Sequence, residues 1–300
     1  MQRKDQTKDE GYARSLMSTK NRPIVLTIAG TDPTGGAGIQ ADIKAISANG
    51  CYAASVITAL VAQNTCGVQA IHTIPTTFIT QQLESVFSDL DVAAIKIGML
   101  HDIETIQVIT QELKKHSAPY VVLDPVMCAK NGSSLLKQDA IFALKQYLFK
   151  QVTLITPNIS EAEVLIDSQI NNRTDMINAA VLIGDQYGCR VLIKGGHLKN
   201  ENAIDVLFDP EYGTTYWFEE KRIYTKNTHG TGCSLSSAIA AKLANGLPMK
   251  EAIYQAKKYL TNSIMAGKNH TLGQGAGPVD HFYFIPNPRV ICDTADMQEI

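Results

Sequence analysis

The sequence predicts an α/β protein: a mainly parallel central sheet with helices on both faces, an αβα sandwich. Three observations carry that prediction. Short, continuously apolar runs such as Ile24–Ala29, Tyr120–Leu123 and Val191–Lys194 have the character of strands buried on both sides. Longer segments with apolar residues at helical spacing alternate with them. Glycine, proline and polar residues close the apolar runs, at the end of the sheet where open α/β folds place ligands.

The elements follow in order. Ile24–Ala29 is a strand, followed by a glycine-rich turn and a helix over Gly38–Asn49. Tyr52–Ala59 is a second strand and Gln69–Ile74 a short third. Pro75 suits a helix start, and Phe78, Leu83, Val86 and Phe87 mark that helix's apolar face. Ala94–Ile97 is a strand, Ile103–His116 a helix, Tyr120–Leu123 a strand and Asp139–Tyr147 a helix. Leu154–Thr156 leads into a short helix from Glu161, Met176–Tyr187 is helical, and Val191–Lys194 is a strand. The rhythm then changes. Asp205–Phe208 and Thr214–Phe218, joined by a turn at Tyr212-Gly213, read as an antiparallel hairpin, which either covers a site or packs elsewhere. Helices after Cys233 and from Lys250 to Gly267 complete the chain, with no repeat and no linker.

The sequence expectation is one domain over 23–286, between a polar, disordered tail (1–22) and a C-terminal tail (287–300). The first segment lacks the apolar core of a signal peptide, and its acidic residues argue against a transit peptide. Hydrophobic residues make up 45% of 300, ordinary for a soluble protein. A net charge of −2 supplies no basic field for nucleic acid or anionic membrane, and no apolar run is long enough to span a bilayer. Cys51, Cys66, Cys128, Cys189, Cys233 and Cys292 show neither a C-x-x-C pair nor zinc-ligand spacing, as reduced thiols of a cytoplasmic protein would.

The most informative segment is Asn227-Thr228-His229-Gly230-Thr231-Gly232-Cys233, immediately before a helix. Glycines at a helix start leave backbone N–H groups bare, and the helix dipole adds positive charge, which suits a phosphate. A thiol at that position is easier to ionise. A structural turn is the alternative.

Four further groups sit at strand ends. Residues 29–42 (AGTDPTGGAGIQAD) follow a strand and open a helix, without the glycine spacing of a dinucleotide fingerprint. Asp42 falls one turn into that helix, facing either a ligand or solvent. Asp124 and the Asn158/Glu161 pair offer oxygens for Mg²⁺, while Asn158 and Glu161 also fit a capping box. Lys194, before Gly195-Gly196-His197, ends a buried strand and needs an anion or a path to water. Lys226 adds a cation nearby. Together these parts suit phosphoryl transfer, without the Walker A pattern or protein-kinase motifs.

The chain resembles the ribokinase superfamily, in its branch of hydroxymethylpyrimidine/phosphomethylpyrimidine kinases. The motifs that carry the likeness are IAGTDPTGGAGIQADIK (28–44), SVITALVAQNT (55–65), IKIGML (95–100), VVLDPVM (121–127), LITPNISEAEVL (154–165), KGGH (194–197) and NTHGTGC (227–233). The resemblance implies a ribokinase-like fold, ATP as co-substrate, Mg²⁺, hydroxymethylpyrimidine and its phosphate as substrates, and a homodimer. It implies that Gly230, Thr231 and Gly232 form an anion hole and that Cys233 is the base. Gln63, Asp42, Gly30, Val61 and Met99 would bind the pyrimidine. Lys194, Asn158, Thr228 and Lys226 would face ATP, and Asp124 and Glu161 the metal. Pyridoxal kinase and a non-catalytic pyrimidine-binding module are the alternatives.

Overall fold

The computed structural model describes residues 21–127, 138–196 and 202–286. Most of the N-terminal tail, Cys128, His197, the C-terminal tail and Cys292 lie outside the described residues. The central sheet has eight strands: β1 (Ile24–Ala29), β2 (Tyr52–Ile57), β5 (Val92–Ile97), β6 (Val121–Leu123), β7 (Leu154–Ile155), β8 (Arg190–Lys194), β9 (Asn202–Asp209) and β10 (Thr214–Lys221). Their order is β10-β9-β8-β7-β6-β5-β1-β2. Strands β2 through β8 in this sheet pair parallel; β9 and β10 are antiparallel.

Eight α-helices complete the described fold: α1 (Gly38–Ala48), α2 (Thr76–Phe87), α3 (Ile103–Lys115), α4 (Gln138–Ala143), α5 (Ile159–Ile166), α6 (Arg173–Tyr187), α7 (Thr231–Ala244) and α8 (Met249–Gly267). The expected αβα architecture is borne out. Although the strands are apolar throughout, their residues alternate between two cores, as the two-residue period of a strand requires. Leu26, Ile28, Ile95, Leu123, Val191 and Val206 meet α2 to α6 on one face. Val25, Ala94, Val122, Leu154, Leu192 and Leu207 meet α1, α7 and α8 on the other. Helix α7 is buried almost all round, because its serines and alanines let neighbouring backbones approach closely. No helix among the described residues is long and apolar enough to cross a membrane.

One expectation is corrected. The run Tyr52–Ala59 is not one strand: β2 ends at Ile57, and the chain turns at buried Thr58. There the Thr58 N–H donates to the Ala29 carbonyl, and Oγ1 donates to the Met99 carbonyl at 2.8 Å. The chain continues as β3 (Ala59–Asn64), which pairs antiparallel with β4 (Gly67–Thr73) in a hairpin off the central sheet. For β9–β10 the sequence left two placements open, over a site or elsewhere. This predicted hairpin lies at the sheet edge beside β8, so the hairpin near the strand-end rim is β3–β4.

Candidate active site

The two glycine-rich turns fold against each other. Gly230 caps α7 at φ 74°, in the left-handed region that favours glycine, and a Cβ there would collide with the Gly36 carbonyl. No side chain caps the N-terminus of α7, nor that of α1, so both present backbone N–H groups. The Gly38 N–H donates to Cys233, bringing the start of α1 to the start of α7.

Asp32 organises the first turn. Its Oδ1 accepts from the Thr34 N–H and Oγ1, and its Oδ2 from the N–H groups of Gly36 and Ala37. His229 Nε2 lies 2.7 Å from the same Oδ2. Burial pushes this carboxyl up, but hydrogen bonds from His229, Gln63 and Thr34 outweigh it and hold Asp32 well below the usual carboxylate range.

Cys233 departs from its sequence expectation. The thiol is half-buried at the helix start, yet burial pushes it up to about 11. Lys96 and the Gly38 N–H pull it down, while Asp42 and Asp124 push it up. Dehydration therefore outweighs the helix-start effect that was expected to ionise it. Asp42 needs a second correction. It is fully buried, bound to Lys96, Thr27 and Ser237, and so lies beneath the site, facing neither ligand nor solvent.

The acids and the lysine converge at the rim. Lys194 Nζ donates to Asp124 Oδ1 at 2.7 Å. Burial pulls the Lys194 ammonium down, but Asp124 and Glu161 hold it above the ordinary value; its anion is therefore present and snorkelling is not needed. A Cβ on Gly232 would meet Asp124 Oδ2 at 3.1 Å and Lys194 Nζ at 3.3 Å, so the helix start faces this pair directly. Glu161 and Asn158 form the predicted capping box at 2.8 and 3.0 Å, and Glu161 also accepts from the Met127 N–H. Burial raises the Glu161 carboxyl, Lys194 lowers it and Asp124 raises it, with a net rise. Two carboxyls that repel each other at one rim fit a divalent cation. Among the described residues no group of three or more His, Cys, Asp or Glu side chains forms a chelating cage; Mg²⁺ commonly takes one or two carboxylates plus phosphates and water.

Gly30, Val61 and Met99 come together. A Cβ on Gly30 would lie 2.5 Å from Met99 Cε and 3.7 Å from Val61 Cγ2. Ala59, Val68, Ile71 and Val126 join this small apolar cluster under the β3–β4 hairpin. Gln63 on β3 bonds to Asp32. The hairpin tip is fastened: the N–H groups of Gly275 and Ala276 donate to Thr65 Oγ1 and its carbonyl at 3.0 and 3.1 Å. Thr228 is half-buried and its carbonyl accepts from Thr231 Oγ1, while Lys226 is exposed. Buried Asn227 anchors this stretch to the carbonyls of Gly267 and His270, beside a cavity of about 360 Å³ lined by His270, Thr271, Leu272 and Pro278.

Sequence reasoning missed Asp32, Lys96 and His229. Lys96 carried a signal, as a charge inside the apolar run Ala94–Ile97. Asp32 and His229 lay inside quoted motifs but had no visible partner until the fold joined them.

The phosphomethylpyrimidine kinase family model matches residues 32–280. The hydroxymethylpyrimidine/phosphomethylpyrimidine kinase of Rhizobium meliloti (strain 1021) is 47% identical over 261 residues, covering 87% of this chain and 97% of that protein. The thiamine biosynthesis bifunctional protein ThiED of Geobacter sulfurreducens is 47% identical over 260 residues; the match covers 87% of this chain and 52% of that longer protein. A solved structure of Bacillus subtilis pyridoxal kinase with ADP is 38% identical at a TM-score of 0.81, covering 88% of this chain and 99% of that one.

Proposed function

The chain belongs to the phosphomethylpyrimidine kinase family, and from that premise we propose that it phosphorylates hydroxymethylpyrimidine and then its monophosphate, using ATP, in thiamine biosynthesis. The observation that carries the reading is Gly232, whose missing side chain opens an uncapped helix start onto Asp124 and Lys194. Bare N–H groups, an ammonium and two carboxyls at one point suit the moving phosphoryl group and a cation.

In this reading the pyrimidine lies against Gly30, Val61 and Met99. Gln63 offers donor and acceptor side by side to the aminopyrimidine edge. The N–H groups of Gly230, Thr231 and Gly232 receive the phosphoryl oxygens, where charge stabilisation is most effective. Lys194 and Asn158 face the phosphates, and Thr228 and Lys226 the nucleotide. Asp124 and Glu161 would hold Mg²⁺, which supplies charge neutralisation on the phosphates. Cys233 takes the proton of the hydroxymethyl group. Only the thiolate can accept that proton; burial keeps Cys233 protonated in the free protein, so it must first release its own proton to solvent, and a loose transition state calls for the transfer only late.

Coupled ADP-release assays with hydroxymethylpyrimidine, its monophosphate and pyridoxal test the reading. The expected result is turnover of both pyrimidines, with Cys233→Ala losing about 100-fold in kcat while still binding the pyrimidine. Unchanged turnover in that variant removes the base assignment. The likeness to a pyridoxal kinase favours pyridoxal as the second reading, and a higher kcat/KM for pyridoxal would select it.

A further inference from the structure

Beneath the site lies a buried ion pair that the proposed mechanism does not use. Lys96 and Asp42 are both fully buried. Lys96 Nζ donates to Asp42 Oδ1 and Oδ2 at 2.8 and 2.7 Å. Thr27 Oγ1 donates to Oδ2 at 2.6 Å, and Ser237 Oγ to Oδ1 at 2.8 Å. The carboxylate thus gathers β1, β5, α1 and α7 at one point.

The cluster's position is set by helical spacing. Asp42 stands one turn after Gly38 on α1, and Ser237 one turn after Cys233 on α7. Residues four apart share a helix face, and the Gly38 N–H donates to Cys233. The ion pair therefore lies one helical turn below the contact between Gly38 and Cys233. A buried ion pair gives little stability over an apolar pair of the same size, and it is costly to break. Its location under the thiol gives it a use that stability does not.

We propose that Lys96 is a positioning residue for Cys233: held by Asp42, its ammonium supplies the positive field under the thiol and fixes the start of α7. The inference rests on the reading of Cys233 as the base. Burial alone would pull the Lys96 ammonium down; Asp42 above all, and Asp124, outweigh it and hold it charged. The charged groups acting on the thiol are Lys96 from β5, Asp42 from α1, Asp124 after β6 and Lys194 at the end of β8. Lys96 is the strongest of them, and it is the one that favours the thiolate most.

The test follows iodoacetamide modification of the Cys233 peptide by mass spectrometry across pH, in the full chain. In Lys96→Met the reactivity midpoint is expected to rise by about one pH unit, which is about tenfold in rate below the midpoint. Its kcat falls, while KM for the pyrimidine stays unchanged. Lys96→Met leaves Asp42 buried without its partner and can unfold the chain. The double variant Lys96→Met/Asp42→Asn removes both charges and guards against that outcome. Because Lys96 acts on the thiol more strongly than Asp42, its midpoint also rises, by less. An unchanged alkylation profile in either folded variant overturns the proposal. Cys233→Ala separates the two readings: full turnover there sinks the base assignment, whereas loss of turnover with an unchanged Lys96→Met profile sinks the role of Lys96 alone.

Discussion

His229 Nε2 stands 2.7 Å from Asp32 Oδ2, joining the turn before α7 to the turn after β1. The residues are 197 positions apart. The contact matters because each turn supplies one part of the site: Gly30 and the apolar pocket on one side, and the N–H groups before Cys233 on the other. Asp32 is 1% exposed, so the donors that converge on it have no water to replace it.

Asp32→Ala is expected to destabilise the protein by about 3 kcal/mol, because it strands the buried N–H of Gly36 and the part-buried N–H of Ala37. Urea unfolding measures this. His229→Ala leaves those two bonds in place and is expected to cost about 1 kcal/mol. Equal losses in the two variants would show that Asp32 does not organise the turn.

Gly230 and Gly232 separate folding from chemistry. Gly230→Ala combines a positive φ with a collision against the Gly36 carbonyl, so little folded protein is expected on expression. Gly232→Ala meets Asp124 Oδ2 at 3.1 Å and Lys194 Nζ at 3.3 Å, tight contacts with side-chain ends that can give way, so the chain folds. Its kcat is expected to drop about 10- to 100-fold, with little change in KM for the pyrimidine, as loss of oxyanion-type stabilisation predicts. Steady-state kinetics reads both parameters; a change confined to KM would move Gly232 out of the phosphate site.

Gln63→Leu keeps the side chain's size and removes its donor and acceptor. Pyrimidine affinity is expected to fall about tenfold or more, since a lost polar contact costs on the order of 1–3 kcal/mol. Titration calorimetry with hydroxymethylpyrimidine measures it. An equal loss for pyridoxal would mean that Gln63 does not read the aminopyrimidine edge.

His281 predicts acid sensitivity. It is buried, and burial, then Lys44, lower its imidazole to about 4 from 6.5. Ser234 Oγ donates to the Gly230 carbonyl at 2.8 Å, so His281 Nε2, 2.9 Å away, is the donor to Ser234. The unfolded chain takes up a proton near 6.5 that the folded chain refuses until about 4. The contribution of this neutral histidine is therefore full above 6.5 and disappears as pH falls toward 4, on the order of 3 kcal/mol in total. Urea unfolding between these limits is expected to show stability falling with acid, with a shallower slope in His281→Phe. Equal slopes would remove His281 as the cause.

The αβα layering was legible because the buried strands carried apolar runs and the helices between them a periodic face, α7 excepted. The capping box was legible for a local reason: Asn158 and Glu161 are three residues apart and need no other part of the chain. The same holds for the uncapped glycines before Cys233. The β3–β4 hairpin was not legible, because the run through Thr58 is apolar and β-like without a break. Only the bonds from Thr58 to Ala29 and Met99 turn the chain off the sheet.

The sequence by itself determined the fold class, the family likeness and the glycine-rich helix start, all of which are written in short segments whose period or spacing is local. Tertiary structure decided the electrostatics. Asp42 sounded like a pocket wall, and it became the buried partner of Lys96 because α1 packs against β5 and α7. Cys233 sounded like an activated thiol, and its surroundings hold the proton on it because burial outweighs the nearby cation. Dehydration and charge pairing depend on what the rest of the chain places within a few ångströms, and no local pattern encodes that.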